Sequence, residues 1–359
     1  MGRMTTKGEM GGCTGERHSL ILQTDFHFKL TIISNFRSCA RHESKCKKAM
    51  RKQILTLACL LMATMGVNAQ ISKVALQHRG EVTLYDTDQI QLAIDNSVDG
   101  DTIFLNEGEF PGFTVNKKIA VIGKGNGETK VTSNITIAIP NSPTLTARVL
   151  DGLNLINSSN IIVSNAVNSL VIRKCQFYQI SFTGVVDKVL IDRCYINSYI
   201  SLSSNVVGMD IVNSRIIYGL RSNAYTPSAV NIINCFVGNG TYSSVYNESN
   251  ATFINSIVYN YHDGSDHLGT GCNYVKCAVV NQNYGIYQNC WNVYSTVSSY
   301  TKDQLARDGY LGTDETVIGM YGGPTPYTLV STAPKITDYT LKVDTGEKKL
   351  NVNVKVTPQ

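Results

Sequence analysis

Between Leu150 and Val279 a single eight-residue pattern recurs seven times: apolar, any, apolar, any, turn residue, small or apolar, any, apolar. The clearest copies run from Met209 to Ile216, Val230 to Val237, Ala251 to Val258 and Cys272 to Val279. The sixth position falls at Leu153, Cys175, Cys194, Ser214, Cys235, Ser256 and Cys277, at intervals of 22, 19, 20, 21, 21 and 21 residues. A fixed period of this length marks a solenoid, because one such unit cannot bury its apolar face alone and must stack on its neighbours.

Inside each copy the apolar residues alternate, as in a strand with one buried face. Met209 and Ile211 are expected to point inward, Asp210 and Val212 outward, and Ser214 and Ile216 inward again beyond a bend at Asn213. The bend position is Gly152, Lys174, Arg193, Asn213, Asn234, Asn255 and Lys276. Asn suits a left-handed backbone there, and three stacked Asn invite an amide ladder. A leucine-rich repeat has a similar period, but its Leu-x-x-Leu-x-Leu spacing and helical half are missing. The pattern predicts an all-β chain, a right-handed parallel β-helix, with seven rungs spanning about 34 Å.

The segment ahead of the rungs predicts a short helix, capped by Asp88 and burying Ile90, Ala93, Ile94 and Val98. The strand-like passages Gly100 to Phe110 and Phe113 to Gly125 follow, broken by glycine turns. The helix followed by Gly100-Asp101-Thr102-Ile103, and then Ile119-Ala120-Val121-Ile122-Gly123-Lys124-Gly125, resembles the N-terminal cap and first coil of the pectin-lyase-like β-helix superfamily. The resemblance covers roughly residues 81 to 300. It implies the fold more than an activity, since that superfamily holds lyases, hydrolases, esterases, adhesins and phage tailspikes.

Met50-Arg51-Lys52, the apolar run Ile54 to Gly66 and Val67-Asn68-Ala69 before Gln70 form the three parts of a secretory signal peptide. We therefore expect a non-native or disordered upstream segment at 1–49, a signal peptide at 50–69, a β-helix with its N-terminal cap at 70–300 and a C-terminal cap and hairpin segment at 301–359. Export to the periplasm, outer surface or medium of a bacterium follows. Residues 1–69 hold 11 Lys and Arg against 4 Asp and Glu, so of 32 and 27 in the whole chain 21 and 23 remain. The net charge thus falls from +5 to near −2, which gives nucleic acid no basic surface to bind. No membrane span is expected after cleavage.

Six of the ten cysteines lie beyond the leader: Cys175, Cys194, Cys235, Cys272, Cys277 and Cys290. Most fall at inward positions, where a free thiol acts as a small stackable hydrophobe. A metal site is not expected, because no Cys-x-x-Cys pair or partnered His accompanies them.

The chain's end predicts a short helix over Thr301–Asp308 and a terminal hairpin pairing Tyr339–Val343 with Leu350–Val356 across Asp344–Glu347. The outward position just before the bend carries Val212, Ile233, Ile254 and Val275, an apolar stripe that the C-terminal segment or a second copy of the chain should cover.

Three groups are candidates for function. The early rungs carry Arg173, Lys174, Asp187, Lys188, Asp192, Arg193, Asp210 and Arg215. Enzymes of the resembled superfamily place Ca²⁺ ligands and a base on such outward positions, so Arg173, Asp192 and Asp210 are candidate catalytic residues, with Ca²⁺ as cofactor of a lyase. The plain reading is a salt-bridge ladder of Asp151, Arg173 and Asp192, and the Arg-x-Pro-x-x-Arg motif of pectate lyases is missing. The loop holding His262, Asp263, Asp266 and His267 has acids and bases enough for acid–base or metal chemistry. Solvation of a loop accounts for it equally, and the paired Asp motifs of the superfamily's glycosidases are absent. Finally, Tyr195, Tyr218, Tyr259 and Tyr261 offer rings for stacking on sugars, although Tyr is also a good strand former. The favoured function is an exported β-helix that binds a polysaccharide or surface glycan through its lateral face without catalysis. The alternatives are a polysaccharide lyase or glycoside hydrolase, and a structural or adhesive surface protein that self-associates through the apolar stripe.

Overall fold

Three long parallel sheets wind around one apolar column, and the rung register is direct. Met209 pairs with Val230 and Ile211 with Ile232, while one rung earlier Val189 pairs with Met209 and Ile191 with Ile211. Side chains 20 or 21 positions apart therefore lie over one another, as the repeat requires. The chain is a parallel β-helix. The computed structural model describes residues 73–125, 127–138, 148–164, 166–202, 206–222, 229–239, 245–246, 251–259, 271–282, 285–329, 335–344 and 349–357. The expected segments 1–49 and 50–69 lie outside the described residues.

Among the described residues the first sheet has 12 strands, parallel apart from the two of an N-terminal hairpin, the second 10 and the third 7. A single turn is shown by Met209–Val212, Arg215–Ile216 and Gly219–Ser222, one strand in each sheet. All seven bend residues between the first two sheets have positive φ, from 46° at Asn213 to 66° at Gly152. Asn289 has φ 53° and pairs off against Lys276 in a further rung only 13 residues on. That short interval breaks the period and hides the rung from the repeat pattern.

Aromatic and aliphatic side chains fill the inside. Phe253 stacks on Tyr274 and Tyr274 on Tyr287, with centroids 4.8 and 4.9 Å apart, a spacing set by the rung repeat of about 4.8 Å. The hairpin of Lys73–His78 and Glu81–Asp86 closes the N-terminal end by pairing antiparallel with Thr102–Leu105. Helix Ile90–Asn96 lies across the core, with Ile90, Ala93 and Ile94 fully buried. Lys117 Nζ donates to the carbonyls of Ile94, Asp95 and Ser97, placing a cation where the helix dipole favours one. The helix is entered from Asp86 through a 3-10 turn over Thr87–Gln89, not capped by Asp88, and Val98 lies past its end, exposed.

The small inward column is more than apolar filler. A bend with positive φ turns the next backbone N–H inward, where the adjoining rung offers it no carbonyl. The side chain of the following rung accepts it instead. Cys194 N–H donates to Ser214 Oγ at 3.0 Å, Ser214 N–H to Cys235 Sγ at 3.4 Å, Cys235 N–H to Ser256 Oγ at 3.1 Å, and Ser256 N–H to Cys277 Sγ at 3.4 Å. Each thiol or hydroxyl then donates to carbonyls, as Ser256 Oγ does to Ile254 and Ile232. Only a small side chain that both accepts and donates meets these demands. Burial pushes the Cys175 and Cys235 thiols up to about 12.

A second apolar cluster lies outside the solenoid. Phe236, Ile257 and Ala278, the outward residues two positions after the bend, are buried against Val297, Leu305, Val317 and Ile318. Leu305, Val317 and Ile318 come from the C-terminal segment, whose helix Lys302–Arg307 is capped by Thr301 and Gln304, and Val297 comes from the turn just before it. The column it buries is therefore not the one expected. Val212, Ile233, Ile254 and Val275 are half-buried, neither in open solvent nor in this cluster.

The same segment runs along the bend asparagines. Asn213 Nδ2 donates to the carbonyls of Gly322 at 2.7 Å and Met320 at 3.4 Å, and Asn255 exchanges hydrogen bonds with Thr313. This part of the C-terminal segment is a strap, and the side-chain amides of Asn213 and Asn255 reach it where an amide ladder was expected. The terminal hairpin forms from Lys335–Asp344 and Lys349–Thr357, with Leu341 opposite Val352 and Val343 opposite Leu350.

Candidate functional site

The second sheet presents one outward residue per rung: Glu109, Lys130, Asn154, Gln176, Tyr195, Arg215 and Phe236 in register. The early members are polar, with Lys130 paired to Glu109 at 3.5 Å. Asn154, Gln176, Tyr195 and Arg215 are half-buried, and from Phe236 onward the strap covers the column. A lateral polar face therefore ends at a wall.

A cavity of about 140 Å³ opens at that junction, lined among others by Arg215, Phe236, Ser299, Tyr300, Met320 and Tyr321. The Arg215 guanidinium lies 4.2 Å over the Phe236 ring, which fixes its plane and leaves its N–H edge for a ligand. Tyr327, whose N–H donates to Met320 O at 2.8 Å, adjoins the same corner. Burial pushes its phenol up, the nearby Cys194, Tyr195 and Tyr321 add to the shift, and Arg215 opposes it. A guanidinium, phenol rings and hydroxyls around a small cavity can hold a sugar ring by stacking and hydrogen bonding.

The charged residues of the early rungs are engaged with one another. Asp151 is fully buried and takes Arg173 Nε at 2.9 Å, while Asp192 is bound side-on by Arg193. Arg173 and Asp192 stand in register, as the salt-bridge ladder requires, but Asp192 turns to the neighbouring Arg193. Lys174 is buried at the bend among these groups. Its ammonium is pushed down by burial first, then by Arg193 and Arg173, against Asp151 and Asp192. Asp210 is exposed and accepts from Asn231 Nδ2 at 2.9 Å. It pairs in register with Leu190, whereas Asp192 pairs with Val212, so these two carboxylates do not converge.

Neither a protein-family model, nor a curated protein, nor a solved structure matches the chain.

The tyrosines expected to bind sugars separate. Tyr195 belongs to the lateral column. Tyr218 lies toward the third sheet, 6.4 Å from Tyr199, whose ring carries the Arg221 guanidinium at 4.0 Å. Tyr259 is only 2% exposed, packs 5.9 Å from Phe236 and donates its hydroxyl to Ser295 O, so it serves the second cluster. Tyr261, His262, Asp263, Asp266 and His267 lie outside the described residues. Sequence reasoning missed Tyr300, Tyr321 and Tyr327 because they reach Arg215 only through the path of the strap. The legible signal was the change at one outward position from Gln176, Tyr195 and Arg215 to Phe236, Ile257 and Ala278.

Proposed function

We propose that this is an exported β-helix of the pectin-lyase-like superfamily that holds a polysaccharide along its second sheet without cleaving it. The observation that carries this reading is the lateral column Asn154, Gln176, Tyr195 and Arg215, which runs into a cavity where Arg215 is stacked on Phe236. One polar side chain per rung, every 4.8 Å or so, suits a polymer lying parallel to the solenoid axis. Engagement of Arg173 by Asp151 and of Asp192 by Arg193 supports binding over chemistry, since a base or metal ligand must be free to meet its substrate.

The test is affinity electrophoresis of the full chain in gels cast with neutral or acidic polysaccharides. Retardation by one of them that Tyr195→Ala and Arg215→Ala both reduce, with no new reducing or unsaturated ends, is the expected result. Release of such ends would make the chain a hydrolase or lyase. Free migration in every gel, with self-association in solution, would support a structural or adhesive protein.

A further inference from the structure

The inward column ends in two thiols. Val275 pairs with Gln288 and Ala278 with Trp291, which sets Cys277 and Cys290 directly one above the other. Cys277 N–H donates to Cys290 Sγ at 3.4 Å, and Cys290 Sγ lies 3.3 Å from Tyr274 O. Both are free thiols, Cys277 fully buried and Cys290 partly exposed. We infer that Cys277 and Cys290 form a thiol–disulfide site that reacts with small aliphatic disulfides and closes into a bond between the last two rungs.

Three features of the position support this. Stacked rungs bring the Cα atoms to about 4.8 Å, inside the 4.4–6.8 Å that a disulfide spans. The Cβ atoms of a disulfide approach to roughly 3.5–4.5 Å, so one rung must shift slightly. Among the described residues Cys290 belongs to the rung that ends both the first and second sheets, with a stacked strand on one side. The third feature is reactivity. The adjoining Cys277 side chain, and after it the Cys277 N–H that donates to the Cys290 sulfur, lower the Cys290 thiol to about 6 against the opposing effect of burial, while burial pushes Cys277 well up. Cys290, the more exposed of the two and the one whose thiol is lowered, is thus the attacking sulfur, and the buried Cys277 the resolving thiol.

The Cys290 thiolate attacks one sulfur of the small disulfide and expels the other half, which takes up a proton. Cys277 then loses its proton, attacks Cys290 Sγ and releases the second half as a thiol. The protein exchanges two S–H bonds for one S–S bond, and the two electrons it gives up reduce the small disulfide. Cys175 and Cys194 are an internal control: they occupy the same column in consecutive rungs, yet both are fully buried with thiols pushed up.

The experiment incubates the folded full chain with 2-hydroxyethyl disulfide at pH 7, quenches with an alkylating agent and maps peptides without reduction. A Cys277–Cys290 peptide two hydrogens lighter is expected, while Cys175 and Cys194 alkylate only after unfolding. Cys277→Ser is expected to fold, because Ser214 and Ser256 already occupy that column, and to trap the hydroxyethyl adduct on Cys290. A wild-type chain with both thiols free, or with a lasting adduct on Cys290, would overturn the inference. So would a Cys277→Ser chain without adduct, or equal reaction at Cys175 and Cys194.

Discussion

Asn255 and Thr313 hold each other by two hydrogen bonds: Thr313 N–H donates to Asn255 Oδ1 at 2.8 Å, and Asn255 Nδ2 donates to Thr313 Oγ1 at 3.2 Å. One side chain thus does two things, adopting the left-handed bend at φ 50° and tying the strap to the solenoid. The wall of the candidate groove depends on the second.

The two roles separate by substitution. Asn255→Gly keeps the bend and loses the hydrogen bonds, at a cost of about 1–3 kcal/mol. Asn255→Ala adds roughly 1–2 kcal/mol for forcing a Cβ into the left-handed region. Denaturant unfolding should rank wild type, Gly and Ala in that order. Equal stability of the two variants would refute the separation.

The inward column makes a sharper demand at Cys235. Cys235→Ser should remain within about 1 kcal/mol of wild type, since Ser still accepts Ser214 N–H. Cys235→Ala leaves that buried donor without its acceptor and should cost about 1–3 kcal/mol. If Ala proves as stable as Ser, the column acts by volume alone.

Groove residues should affect binding and spare folding. Tyr195→Ala and Arg215→Ala are each expected to weaken polysaccharide retardation by about tenfold, equivalent to roughly 1.4 kcal/mol, with unfolding midpoints little changed. Tyr259→Ala should do the reverse, lowering stability through the second cluster. A binding loss confined to Tyr259→Ala would place the site elsewhere.

Cys290 should show an acid-shifted titration. A lowered thiol pKa means that the reactive thiolate is present above about pH 6 and is lost as the pH falls through that value. The iodoacetamide rate at Cys290 should therefore reach half its plateau near pH 6. Cys277→Ala removes the adjoining thiol side chain and should move the half-point up toward the ordinary thiol value of about 8.5. A half-point that stays near pH 6 in that variant would assign the shift to another cause.

The sequence by itself determined the parallel β-helix, because in-out alternation and the rung period are local patterns that each rung restates. It placed the bend from Gly152 to Lys276, where all seven residues have positive φ, and the terminal hairpin, whose alternating residues pair as expected. Tertiary structure alone decided what lies on the solenoid. Asn213 meets Gly322 across 109 positions, and no periodicity announces a contact of that separation. Alternation says which residues face outward, not which of two outward columns another segment will bury. The half-buried Val212 to Val275 stripe and the buried Phe236, Ile257 and Ala278 could therefore be told apart only in three dimensions. The Arg215 cavity follows from that choice, since it opens where the strap stops covering the sheet.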